Sequence, residues 1–222
     1  MWANETERGD CKMTKQATLQ GVFGTPIYQS NIERPYTKEE LTLFENSKKH
    51  LRRNIGNAIT AKDRKGTYIL ELEKLSGLKK DLMEHVNSYF EQVYSPKTDC
   101  SLYITQSWIN HTEEKEHHHI HSHENSFVSG VLYLNADANF DSITLYNKQT
   151  DATIKIPPRE WNPFNSVEWT FPMTTGNIIL FPSSLKHGVK QKEGKNTRAS
   201  LSFNTFVKGV LGKAEQATEL RL

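Results

Sequence analysis

Cysteine is nearly missing from this chain. Cys11 and Cys100 are the only two in 222 residues, so no disulfide framework holds the fold together. Long apolar runs are missing as well. No stretch approaches the roughly 20 residues that cross a bilayer, and the opening M-W-A-N-E-T-E-R-G-D is too polar for a signal peptide. Charge of one sign is also lacking: 28 Lys and Arg stand against 26 Asp and Glu, a net of +2, which leaves no electrostatic footprint for nucleic acid. These absences predict a cytoplasmic protein with no membrane association and no nucleic-acid partner.

What is present is a globular composition with two differently patterned halves. Hydrophobic residues make up 36% of the chain, with four Trp, eight Tyr and ten Phe, which excludes general disorder. Residues 1–20 are polar and read as a flexible N-terminal segment. Residues 21–222 read as one domain, with 21–96 as helical support and entry strands and 97–222 as a β core. Gly24–Ile32 has a β-like apolar centre. Thr37 and Glu40 have the spacing of a capping box, opening a helix with Leu41, Phe44, Leu51 and Ile55 along one stripe. Thr67–Leu72 reads as a short strand. A second helix spans Ser76–Tyr94, with Leu78, Leu82, Val86, Phe90 and Val93 on one face, and Ser95-Pro96 ends it.

After Pro96 the pattern turns to short β runs at 101–110, 126–135, 142–146, 152–156, 167–171, 177–181 and 198–207. Pro157-Pro158, Asn162-Pro163, Thr175-Gly176 and Glu193-Gly194 punctuate them. Seven short strands behind two helices predict a mainly β jelly roll or sandwich with an N-terminal helical layer packed outside. The P-P-R-E-W-N-P-F stretch, with Trp161, and the following Trp169 and Phe171 read as a loop pinned by buried aromatics, with a lid over the barrel mouth as the alternative. Lys186, Lys190, Lys192 and Lys195 read as the solvated face of a hairpin.

The chemistry concentrates in histidine. Glu116–His123 reads E-H-H-H-I-H-S-H, and His187 follows 64 residues later at the end of N-I-I-L-F-P-S-S-L-K-H-G. His121 and His123, two apart on a strand, would share a face. A third imidazole from a distant strand would complete a facial site with open positions, the arrangement that suits non-haem Fe(II). The competing reading of the run alone is a surface loop with adventitious metal affinity.

Three motifs in order carry a resemblance: H-S-H-E-N-S-F-V-S-G-V-L-Y-L-N, then G-N-I-I-L-F-P-S-S-L-K-H-G-V, then T-R-A-S-L-S-F-N. Together they resemble the 2-oxoglutarate/Fe(II)-dependent oxygenases, and within them a group found in marine bacteria and phages. The likeness covers most of residues 100–222, and T-P-I-Y near the start also fits. It implies a double-stranded β-helix, an Fe(II) ion, 2-oxoglutarate as cosubstrate and O2. His121, His123 and His187 would hold the metal. Arg198 would pair with the distal carboxylate of 2-oxoglutarate, with Ser200 beside it and Asn204 further along the same face. Asn125 and Tyr133 are further candidates for cosubstrate contact, and Trp108, Asn110 and His119 for substrate contact.

The implied activity is oxidative decarboxylation of 2-oxoglutarate to succinate and CO2, coupled to hydroxylation of a small-molecule or peptide substrate. The setting would be cytoplasmic, in a host cell if the gene is a phage's, and a homodimer through the helical layer stays open. Most of the superfamily has Asp or Glu at the position of His123. Glu124 with a bulged strand, or a His119-x-His121 register, are therefore alternatives. So are a three-His dioxygenase of cupin type that does not use 2-oxoglutarate and a non-catalytic metal-binding jelly roll.

Overall fold

The computed structural model describes residue 18 and residues 20–97, 99–147 and 156–222. All but residues 18 and 20 of the expected flexible segment 1–20, Cys11 included, and all but Ile156 of the expected strand 152–156 lie outside the described residues. In chain order the elements are β1 (Tyr28–Asn31), α1 (Lys38–Ser47), β2 (Arg52–Arg53), β3 (Ala58–Ile59), α2 (Arg64–Thr67), α3 (Ser76–Tyr94), β4 (Cys100–Thr112) and β5 (His118–His121). They continue with β6 (Val128–Asn135), β7 (Ser142–Tyr146), β8 (Glu168–Pro172), β9 (Asn177–Pro182), β10 (His187–Val189), β11 (Arg198–Leu211) and β12 (Leu220–Arg221). No helix among the described residues is long and apolar enough to cross a membrane.

The strands form two antiparallel sheets. The larger runs β1-β9-β6-β11-β4-β3-β2, with β12 on β11, and the smaller runs β5-β10-β7-β8. Strand parity divides the core. Leu132 and Leu134 of β6, Ile178 and Leu180 of β9, and Leu201 and Phe203 of β11 pack with Leu78, Leu82, Val86 and Phe90 of α3. The intervening Val131, Tyr133, Ile179 and Phe181 join Ile143, Leu145 and Met173 in a second cluster. A sheet buried on both sides needs apolar residues at nearly every position, as β6 has. Gly130 is required here, because a Cβ would lie 2.2 Å from the Phe203 ring.

The N-terminal half departs from expectation in two places. The Thr37–Glu40 capping box forms, and Arg34 bonds both Glu40 and Asp81, tying α1 to α3. The helix nevertheless stops at Ser47, so Leu51 and Ile55 are not part of it, and Leu41 and Ile55 are 52% and 62% exposed. Ser47 turns its hydroxyl back to the Phe44 carbonyl at 2.6 Å, a local bond that competes with helix continuation. Thr67–Leu72 is not a strand. Asp63 caps α2 by accepting from Gly66 N, and Ile69–Glu71 form a 3-10 turn that buries Ile69 and Leu70. Such a short apolar run has no decisive period. The Ser76–Tyr94 helix matches its expected bounds and ends at Ser95, which takes φ 41°.

Candidate metal centre

The histidine run lies at one edge of the smaller sheet. On β5 and β10, His121 and His187 stand opposite each other in register. His123 lies beyond the end of β5, and its backbone N–H donates to Ser183 O at 3.0 Å. His123 thus sits in the irregular stretch after β5 rather than on a strand, and the shared strand face expected of His121 and His123 does not arise. The three rings still converge: one nitrogen from each of His121, His123 and His187 lies within 4.8 Å of the others. Glu124 is exposed and belongs to no such group. A second grouping, His118, His119 and His121, shares His121 with the first.

The local chemistry prepares two of these rings for a metal. His121 donates Nδ1–H to the carbonyl of His119 at 2.8 Å, and His187 donates Nδ1–H to that of Leu185 at 3.0 Å. Each bond fixes the tautomer and leaves Nε2 with its lone pair. Burial, reinforced by the neighbouring imidazoles, lowers the pKa of His187 to about 3 and that of His123 to about 4. Burial lowers His121 as well. All three are neutral at pH 7, the protonation state in which imidazole binds a metal.

Arg198 opens β11, whose inward residues Arg198, Ser200 and Ser202 face Thr112, Asn110 and Trp108 of β4 in register. On the other flank Ser200 and Ser202 pair with Tyr133 and Val131 of β6. Arg198 is 2% exposed. It donates from Nη1 to Ser142 O at 3.3 Å and from Nη2 to Thr112 Oγ1 at 3.0 Å, while its buried Nε has no partner. Among the described residues no carboxylate lies within 4.0 Å of the guanidinium. Burial lowers its pKa from the ordinary arginine value, with Tyr133 and Asp141 opposing that shift. A buried cation in this state is costly unless something anionic completes it.

One pocket, open to solvent, joins the two features. His121, His123, His187, Arg198, Ser200, Tyr133, Trp108 and Asn110 all line it. Trp108 Nε1 donates to Asn110 Oδ1 at 3.3 Å, and Asn110 Nδ2 donates to Ser202 Oγ at 2.8 Å. Asn125, Asn204 and His119 do not line it. Asn125 is exposed with φ 51°, an αL turn position that Asn tolerates. Asn204 accepts from Ser129 Oγ at 2.9 Å, and His119 contributes its carbonyl to His121.

From the sequence alone His118 had, like His117 and His119, no firmer place than an outer, substrate-facing or solvated residue. It lines the cavity, stacks on His121 with ring centroids 4.6 Å apart, and pairs through Nε2 with Asn54 Nδ2 at 3.3 Å. Burial, with smaller contributions from His121 and Arg198, lowers its pKa to about 2. Two other expectations are corrected. Lys192 is buried rather than solvated, and Trp161, 61% exposed, does not pin its loop.

Residues 106–204 match the model of a protein family described as "Putative 2OG-Fe(II) oxygenase". The matched stretch takes in the histidine run, His187 and Arg198. No curated protein matches the chain in sequence. Solved structures of similar shape include HygX from Streptomyces hygroscopicus with nickel, 2-oxoglutarate and hygromycin B bound, at 12% identity and TM-score 0.53, covering 82% of each chain. A Pseudomonas putida prolyl-4-hydroxylase aligns at 13% identity and TM-score 0.53, covering 82% of this chain and 92% of its own. The non-heme alpha ketoglutarate dependent epimerase SnoN from nogalamycin biosynthesis aligns at 11% identity and TM-score 0.59, covering 82% of this chain and 78% of its own. At these identities the likeness is one of fold. It fits the oxygenase superfamily's double-stranded β-helix, the barrel that the two sheets form here.

Proposed function

We propose that the chain is an Fe(II)- and 2-oxoglutarate-dependent oxygenase that hydroxylates a small-molecule or peptide substrate. One observation carries the reading. Three neutral imidazoles and a buried guanidinium with an orphaned Nε and no carboxylate partner among the described residues line the same cavity. A metal site alone would not call for such an arginine. A planar, permanently charged fork is suited to a ligand carboxylate.

His121, His123 and His187 would hold Fe(II). That donor set fits a divalent first-row ion with open positions. Fe(II) with 2-oxoglutarate and O2 supplies oxidative decarboxylation to succinate and CO2, coupled to oxidation of a substrate C–H bond. Arg198 binds the cosubstrate's distal carboxylate, and Ser200, two residues on and facing the same way, adds a hydroxyl donor. Tyr133, paired with Ser200 across β6 and β11, flanks that position. Phe181, Val131 and Ile143 make the inner wall apolar and limit water. Trp108 and Asn110, fixed by their mutual hydrogen bond, contact the substrate. Asn125, Asn204 and His119, away from the cavity lining, have no ligand contact in this reading.

The test is succinate release from 2-oxoglutarate by the Fe(II)-loaded protein under air, alongside anaerobic binding of 2-oxoglutarate to the Co(II)-loaded protein. Saturable binding and turnover that both fall in Arg198→Ala are expected. Turnover that survives His187→Ala and Arg198→Ala overturns the reading. Substrate oxidation with no saturable 2-oxoglutarate binding would instead assign a cosubstrate-independent three-His dioxygenase.

A further inference from the structure

Three charged side chains lie buried together behind the anion end of the cavity: Asp141 at 1% exposure, Lys192 at 2% and Arg198 at 2%. Asp141 immediately precedes Ser142, whose carbonyl accepts from Arg198 Nη1. An aspartate so close to a buried arginine would ordinarily turn to it. It does not. Its Oδ2 accepts from Asp137 N at 2.9 Å and from Asn196 Nδ2 at 2.8 Å. Its Oδ1 faces Lys192 Nζ at 3.6 Å and makes no hydrogen bond.

Lys192 is held in that place from its other side. Nζ donates to Gly194 O and to Asn196 Oδ1, both at 2.7 Å. Asn196 thus bridges the ammonium and the carboxylate. The Lys192 backbone is fixed too, with its N–H donating to Glu116 O at 2.8 Å and its carbonyl accepting from Lys115 N at 2.7 Å. The cluster therefore contains two unsatisfied polar atoms on groups of opposite sign, Asp141 Oδ1 and Arg198 Nε, which do not satisfy each other. Two buried cations against one buried anion leave a single positive charge, and it resides on the residue that lines the cavity.

We propose that Lys192, with Asn196, is a positioning residue that holds the Asp141 carboxylate away from Arg198, so that the guanidinium stays open to a ligand carboxylate. The inference rests on the reading of Arg198 as the anchor for 2-oxoglutarate. Without Lys192, Asp141 would close on Arg198 and compete with the ligand for the same donors. A lysine that merely cemented two loops would affect melting but would not make 2-oxoglutarate affinity depend on the charge at position 141.

Lys192→Met, Asp141→Asn and the double variant separate these roles, read by anaerobic titration of 2-oxoglutarate into Co(II)-loaded protein. Lys192→Met should weaken 2-oxoglutarate binding by about tenfold or more, the scale of a displaced charge-assisted hydrogen bond, with Co(II) affinity unchanged. Adding Asp141→Asn should restore most of that loss, a non-additivity that reports the competition directly. Asp141→Asn alone should bind at least as tightly as the unmodified chain. A double variant no better than Lys192→Met, or a large loss in Asp141→Asn alone, overturns the proposal. The second arm holds even if Lys192→Met fails to fold.

Crystals of Lys192→Met without 2-oxoglutarate supply a readout independent of that ligand. Asp141 should lie within hydrogen-bond distance of Arg198, and a carboxylate still on Asn196 overturns the proposal. If Asp141 swings as expected while the unmodified protein binds no 2-oxoglutarate, the cosubstrate reading falls and the role of Lys192 stands.

Discussion

His121 and His187 face each other across the β5–β10 pair with ring centroids 4.4 Å apart, and each closes Nδ1 onto the carbonyl two residues before it. The same local device thus occurs on two strands, and it leaves Nε2 of both rings with a lone pair in a fixed tautomer. His187→Ala should abolish stoichiometric binding of Co(II) or Fe(II) and lower succinate formation by more than about 100-fold, beyond the usual loss on removing an outer-sphere partner. Metal content and turnover of the purified variant check this.

The two histidine groupings make different predictions. With His121, His123 and His187 as ligands, His123→Ala should lose the metal, and His118→Ala should keep it at one ion per chain. The change in His118→Ala should appear instead in substrate or cosubstrate KM, because His118 lines the cavity. Metal loss in His118→Ala with retention in His123→Ala would assign the His118, His119 and His121 grouping instead.

Replacing Arg198 by Lys keeps the charge but removes the fork. A lost bidentate contact to a carboxylate corresponds to about 1.5–3 kcal/mol, so the KM for 2-oxoglutarate should rise by roughly 10- to 150-fold. Metal affinity should be unchanged. Steady-state kinetics with the cosubstrate varied measure the effect.

Acid should weaken the metal-free protein through its histidines. His123 and His187 are lowered from 6.5 to about 4 and about 3 in the fold. Between those values and 6.5 the unfolded chain binds more protons than the folded one, so unfolding free energy rises with pH in that window. The metal-free protein should therefore be most stable above pH 6.5 and lose stability steadily as pH falls towards 4. Urea titrations at pH 7.5 and 5.5 test the sign. Metal uptake at pH 7.5 should release few protons, since the ligands are already neutral.

Packing outside the site should be separable from it. Leu82 lies between α3 and the larger sheet with no exposure, so Leu82→Ala should cost about 2–5 kcal/mol of stability. Gly130→Ala should also destabilise the fold, by about 1–3 kcal/mol, because its Cβ would meet the Phe203 ring. Neither should change metal stoichiometry in the folded protein. Thermal unfolding with and without metal distinguishes the two kinds of effect.

Much of the barrel was legible because its strands carry alternating or doubly apolar runs bounded by turn residues. The 142–146 strand and the Ser76–Tyr94 helix were legible to the residue. His121, His123, His187 and Arg198 could be singled out because metal and anion chemistry narrow the choice of residue types, and the fold lines one pocket with all four. Thr67–Leu72 failed because a six-residue apolar run fits either period. The bounds of β5 were not legible, although His121 and His123 were expected on a strand: a histidine-rich run has no β pattern, and pairing with β10 makes His118–His121 a strand. His118 was undervalued because its role depends on Asn54, 64 positions away, and no local signal reveals that contact. Lys192 looked like its solvated neighbours because its burial depends on Asp141 and Asn196.

β5 forms one edge of the smaller sheet, with β10 as its strand partner among the described residues, and two of the three converging rings sit on those two strands. A metal ion joining them would act as a clasp on an otherwise free margin. Amide hydrogens of residues 118–123 should then exchange quickly without metal and slowly with it, while those of β6 and β11 barely respond. On that account, iron supply would set both whether the site is filled and whether this margin of the barrel holds its shape.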